Sequence, residues 1–493
     1  MKKTLGSLIA AAAIWAGTTA FVGSQMETNI REQIESSNKL YANNGIAYKI
    51  KNYEKSFLNS TAEIEVNITD PAILELLQDS IKLPMIVKYD IEHGPLFLKN
   101  GLGFGAAKTH QEIAISSLLT PEAKKEFLAL VKDDIMIKSD MDISFTKNAS
   151  YTISTDEVNI NDDGKSFHMT PLHMKGNHNL ETYKGEAKLN IASLKIQEEG
   201  TQNGLSLQNL VMDINIDEFI EKTLMLGTID LSIANLIIKD DSSPQLENID
   251  IATNMHILTK KDSETTISTK FDGSIEFKNT KLPAEIPDLK NIHLTMDMKK
   301  LGLKGWFELQ KVSQEMEKTQ SELFSKIQSN SNPKDMQKVM EEFGTLQENM
   351  IGKMLYTLND LLIKDETSIS YGLNMETKDN KKSTANIEVG YTGNMEFKGS
   401  LEEIAMKAQQ QVLDMISLNV DLGLDAEHLK GLPNAETLTQ QIQMAVAQGF
   451  VKEENGKFIL NGYYKNQELM VNDNNLTATV LPFLMMATKG GGF

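Results

Sequence analysis

The chain contains no cysteine in 493 residues. Disulfides, paired-cysteine metal sites and the modified cysteine of a lipoprotein are therefore excluded. The absence also suits an oxidising compartment, where stray thiols mispair. Positive charge is scarce: 49 Lys and Arg stand against 68 Asp and Glu, a net charge of −19. No run of Lys and Arg supplies the basic footprint that nucleic acid demands. The same deficit disfavours docking of the main body on anionic lipid. Catalytic motifs are missing too, with no nucleophile elbow, phosphate loop or zincin helix. Isolated Ser and Asp residues are too common to mark a site.

One long uncharged run is present. Residues 5–23 carry no charge and follow Lys2 and Lys3. As a helix they would extend about 28 Å, close to the hydrocarbon thickness of a bilayer. A cleaved signal peptide also opens with lysines, and a soluble apolar helix is a third reading. Thr18-Thr19-Ala20 is a poor cleavage site, so the expectation is an uncleaved transmembrane anchor. Lys2 and Lys3 flank one side; Glu27, Arg31, Glu32 and Glu35 flank the other. Positive charge stays inside. That predicts a single-pass protein of the bacterial inner membrane, its N-terminus cytoplasmic and its body periplasmic.

Behind the anchor, residues 26–43 read as a polar helix. Alternation at Ala62, Ile64, Val66 and Ile68 reads as a strand. Asp70-Pro71 and Thr120-Pro121 each pair a capping residue with a proline suited to the first helical turn. From 135 to 302 short alternating runs dominate. A hexamer recurs there: aliphatic, any, Asn or Ser, aliphatic, any, aliphatic. Its polar positions are Ser193, Asn209, Asn235, Asn248 and Asn291. In the first three, apolar parity switches across that position, as from Leu207 to Leu210, so a flat strand cannot keep both on one face. A bulge or bend at each repeat would restore one apolar face. Aliphatic strands also generate such hexamers by chance. Helical spacing then runs from Trp306 to Leu358, restarting at Asn332-Pro333.

The fold class expected is α+β. An N-terminal transmembrane helix precedes a large, curved, many-stranded antiparallel β-sheet, a long helical hairpin and further C-terminal helices. The regions are 1–24, cytoplasmic tip and anchor; 25–134, mixed helix and strand; 135–302, repetitive antiparallel β; 303–363, helical hairpin; and 364–493, mixed β/α.

Several positions together resemble the YdgA-type bacterial family. They are Trp15-Ala16-Gly17, Tyr53 and Phe57 within residues 52–60, Ile91-Glu92-His93-Gly94-Pro95, and Trp306 before a helix. The resemblance covers essentially the whole chain, although Ser56 stands where that family usually has Gly. It implies an inner-membrane-anchored, periplasm-facing protein, and it implies no catalytic residues.

His93 beside Glu92 is the most enzyme-like spot, but Gly94-Pro95 is turn punctuation and a structural role is the better reading. His168, His173 and His178 are spaced by five, which suits zinc ligands on neither helix nor strand. The 25 methionines supply soft side chains, and those from 336 to 354 fall at helical core spacing. No cofactor is implied. Three functional classes stay open. The first is a non-catalytic envelope protein, a periplasmic scaffold or assembly factor with a protein partner. The second is an AsmA-like lipid-binding or lipid-transfer protein with a curved apolar groove lined by Ile191, Leu194, Leu210, Met212, Ile233, Leu236 and Ile238. The third is an enzyme of unrecognised type. Homo-oligomerisation is compatible with each, and nucleic acid is not an expected partner.

Overall fold

A computed structural model describes residues 45–56, 58–69, 79–97, 103–131, 133–162, 164–201, 203–221, 223–240, 248–280, 286–329, 333–393, 397–401, 413–429 and 434–480, with positions 34, 38, 74, 77, 403 and 404. It divides into two compact units, residues 1–250 and 251–493.

In the first unit, alternation builds the core. β1 (Ile46–Lys55), β2 (Asn59–Ile68) and β3 (Met85–His93) pair antiparallel in that order. A small hairpin follows, β4 (Leu96–Phe97) with β5 (Gly103–Phe104). β6 (Ala107–Ala114) then joins β3. Helix α1 (Pro121–Leu130) starts at Thr120, whose Oγ1 accepts the Ala123 N–H at 3.4 Å, with Pro121 in the first turn. β7 (Met136–Ile143) and β8 (Asn148–Thr155) extend the ladder from β6. Every second side chain of β2, β3 and β7 is buried, and Leu77 and Phe127 close that core.

β9 (Val158–Asp162), β10 (Lys165–Met169) and β11 (Leu172–Asn179) follow, and Thr170-Pro171 separates the last two. Proline has no N–H to give the ladder. β12 (Gly185–Glu198) runs past the break, pairing with β11 on one side of it and β10 on the other. There Thr170 substitutes for the ladder. Its N–H donates to the Ser193 carbonyl, and the Ser193 N–H donates to Thr170 Oγ1, both at 2.9 Å. β13 (Gly204–Ile220) and β14 (Leu224–Lys239) complete the unit.

The second unit is an antiparallel succession. Its members are β15 (Asn248–Ser263, opening before the division), β16 (Thr266–Phe277), β17 (Leu289–Gly302), β18 (Ser368–Thr377), β19 (Lys382–Tyr391) and β20 (Ile416–Asp425). Between β17 and β18 the chain runs through α2 (Leu303–Ser329) and α3 (Pro333–Leu361). α4 (Ala435–Ala447) and β21 (Lys452–Glu454) precede β22 (Lys457–Lys465), which pairs with β20. β23 (Glu468–Val471) and β24 (Asn474–Asn475) follow.

Two expectations are corrected. The span at residues 5–23 lies outside the described residues. Among those described, no helix is long and apolar enough to cross a membrane. The single-pass inner-membrane topology, with a cytoplasmic N-terminus and a membrane partner through that helix, is therefore set aside. The sheet is also open and uncurled: no described pairing joins the first strand of either unit to its last. The expected curvature rested on a bulge or bend at every repeat; the ladder shifts register beside Asn291 but not at Ser193, Asn209 or Asn235. Asn209 has φ +51°, while Ser193 and Asn235 keep negative φ. The ladders of β13 with β12 and β14 resume in the same register on both sides of Asn209.

The base of the α2–α3 hairpin is set by two glycines. A Cβ on Gly302 would lie 1.9 Å from the Asp360 carbonyl oxygen, and one on Gly305 would lie 2.2 Å from the Leu361 nitrogen. Neither backbone can yield. Gly352, within α3, has open space around it. Gly305→Ala should therefore destabilise the protein by ~3 kcal/mol through overpacking. Gly352→Ala should stabilise it by up to about 1 kcal/mol through helix propensity. Thermal unfolding of the two variants checks both signs.

Candidate functional site

Alternation in the second unit has a consequence beyond pairing. Met255, Gly273, Leu294, Leu373, Ala385, Leu422 and Leu460 stand directly opposite one another on successive strands, β15 to β20 and then β22. Two residues along each strand is a second row: Ile257, Phe271, Met296, Tyr371, Ile387, Val420 and Gly462. Period two puts both rows on one face. Within it a Cβ on Gly273 would meet the Phe271 ring at 2.8 Å, so the glycine leaves room for that ring.

This face is not fully covered. Leu294 is 45% exposed, Tyr371 46% and Ile387 37%. These exposed apolar side chains gather on one face rather than lying singly. The intervening positions turn the other way and are polar: His256, Asp272, Thr295, Gly372, Asn386, Asp421 and Asn461 form one row. On that side His293 Nε2 lies 2.8 Å from Asp272 Oδ1, and this hydrogen bond holds the Asp272 carboxyl below its usual range. Tyr371 is the one polar side chain in these two rows. The chemistry of the others is limited to excluding water.

A second cluster lies at one end of β19 and β20. Ser383 Oγ is 2.5 Å from His428 Nδ1, and the Asp425 N–H donates to Ser383 Oγ at 2.8 Å. Ser, His and Asp meet here, yet all three are buried, and the serine oxygen is engaged by backbone. His428 Nε2 is buried without a partner. Burial lowers the His428 pKa although Asp425 and Asp379 pull it upward, so the ring is neutral near pH 7. Sequence reading missed this cluster. Its one local signal was Asp425 three residues before His428, and Ser383 arrives only through strand pairing.

The family-motif residues form a comparable arrangement in the first unit. Tyr53 OH donates to Ser60 Oγ at 3.1 Å, and Ser60 Oγ lies 2.9 Å from His93 Nε2. Ser60 and His93 are buried. Gly94 donates its N–H to the Ala106 carbonyl at 2.9 Å. A Cβ there would sit 1.7 Å from the Gly105 carbonyl oxygen, so the position admits glycine alone. Gly94 and Pro95 thus make a packed corner around a hydrogen-bonded His93. Trp306 lies on α2 in the second unit, where its Nε1 is buried without a partner. Trp15, Gly17 and Phe57 lie outside the described residues.

The seven groove candidates are all half-buried. Ile191, Leu210 and Ile233 stand opposite one another; Leu194 and Leu236 both face Leu207; Met212 faces Leu231; and Ile238 faces Leu205. His168 is 2.7 Å from Asn159 Oδ1, and His178 packs edge-on against Tyr151 at 5.8 Å. Among the described residues no group of three His, Asp or Glu is placed to hold a metal ion.

The family described as "Bacterial protein of unknown function (DUF945)" matches residues 1–478, and the chain belongs to it. No curated protein and no solved structure matches the chain.

His93, His178 and His428 share one cause of pKa depression, burial, to which Lys55 adds repulsion at His93. The unfolded chain protonates these rings near pH 6.5, and the folded chain resists. Stability should be full above that value and fall as pH drops below it. Thermal unfolding between pH 7.5 and about 5 measures the slope, and His428→Gln should flatten it. His93→Ala should cost about 1–2 kcal/mol by stranding the Ser60 hydroxyl.

Proposed function

We propose that this DUF945 member is a non-enzymatic binding protein, and that its working surface is the apolar face of the second unit. The observation that carries the reading is the exposure of Leu294, Tyr371 and Ile387 in the middle of two in-register apolar rows. Seven strands at a spacing of about 4.8 Å make each row a track of roughly 29 Å. An extended apolar ligand lying along the rows matches that length. Covering one half-exposed Leu or Ile contributes about 1 kcal/mol, so a track of several such residues gives usable affinity. Met255 and Met296 on the same face adapt to varied shapes.

Two features support a non-enzymatic reading. Both serine–histidine pairs are buried, and the two apolar rows carry Tyr371 as their one polar side chain. Within the family, Ile91-Glu92-His93-Gly94-Pro95 favours a place among YdgA-type members. That placement bears on kinship and not on location.

A fluorescent long-chain fatty acid tests the reading. It should bind the full chain, and Leu294→Asp and Ile387→Asp should each weaken binding about tenfold or more. Both positions are already solvent-exposed, so the unfolding temperature should change little. Affinity unchanged in both variants would remove the face from the ligand's path.

A further inference from the structure

The first unit carries a different surface, a polar depression of about 680 Å³. It is built by the same register logic with opposite chemistry. Asp140, Thr152, Lys175, Lys188, Asp213 and Asp230 stand opposite one another across β7, β8, β11, β12, β13 and β14. A parallel row runs from Asp142 through Ser150, Asn177, Glu186 and Asn215 to Thr228. Both rows line the depression.

We propose that this depression binds a neutral oligosaccharide chain lying across the strands. Four of the five lining carboxylates have a named partner within the protein. Asp140 is 2.7 Å from His110, Asp142 is 3.6 Å from Lys108, and Asp213 is 3.0 Å from Lys188. Glu186 accepts from the Asn177 amide at 2.8 Å. A ligand would meet carboxylate oxygens through neutral hydroxyl donors. What the floor offers is a succession of hydroxyls, amides and carboxylate oxygens, each able to meet a sugar hydroxyl. Spacing agrees as well. A pyranose ring is about one strand spacing long, roughly 5 Å, so successive rings would meet successive strands.

The alternatives fit less well. Nucleic acid would confront five carboxylates with only two lysines among the lining residues. An extended peptide recognises a free strand edge, and here β8, β11, β12 and β13 are each paired on both sides. An apolar chain would find side chains that hydrogen-bond along both rows.

The test uses the full chain with cellotetraose, maltotetraose and chitotetraose, each titrated to about 10 mM by calorimetry or by protein NMR. At least one should bind, with little dependence on salt. Asn177→Ala combined with Glu186→Ala should weaken it about tenfold. Both side chains are exposed and belong to no core, so folding should survive. Thr152→Ala, which removes a hydroxyl from the neighbouring row, should weaken binding in the same direction. Absence of binding by all three sugars overturns the proposal. So does binding that neither set of changes disturbs.

Discussion

Unslipped register is the constraint on which the rest of this structure depends. In an antiparallel ladder a shift of one residue sends every later side chain to the opposite face. From Met255 to Gly462 the second unit crosses six pairings while keeping Leu294, Tyr371 and Ile387 on one side. Its irregularities fall near strand ends, at Lys261/Ser263, Ile267/Thr269 and Leu289/Asn291. The chemistry of each face is thus a product of backbone pairing, and single side chains matter through the row they join.

An open sheet has a second problem, its edge. Unpaired N–H and C=O groups invite other strands. The first unit blunts β1 in two ways. Asn38 bonds both backbone groups of Tyr48, donating to its carbonyl at 2.8 Å and accepting its N–H at 2.7 Å. Lys49, Lys51 and Lys55 stand exposed along the same strand. The β1 edge is guarded, whereas Leu294 and Ile387 in the second unit stay exposed.

Local features were legible in the sequence; coverage was not. Thr120-Pro121 announced a helix start because capping and the proline ring act within one turn. Alternation at Ala62, Ile64 and Val66 announced a strand with one buried face. The parity switch at Asn209 was legible too, and that residue does take φ +51°. Generalising it to Ser193 failed for a non-local reason: Ser193 answers the Pro171 break on its neighbours, and Thr170 repairs the ladder without a bulge. Whether Leu294 is covered depends on what packs over β17, which its neighbours in sequence do not encode. The pairing of Ser383 with His428 was hidden for the same reason, since 45 residues separate them.

The two serine–histidine pairs show how residue type can mislead where geometry does not. A nucleophilic serine needs an open path to its oxygen and a base free to accept its proton. Ser383 Oγ accepts the Asp425 N–H, and His428 is buried around an unpartnered Nε2. Ser60 is held between Tyr53 and His93 inside the first core. Each arrangement satisfies polar groups that strand pairing has carried out of water, which is the requirement any buried hydroxyl faces. Within the second unit it is the ladder that sets which chemistry meets solvent.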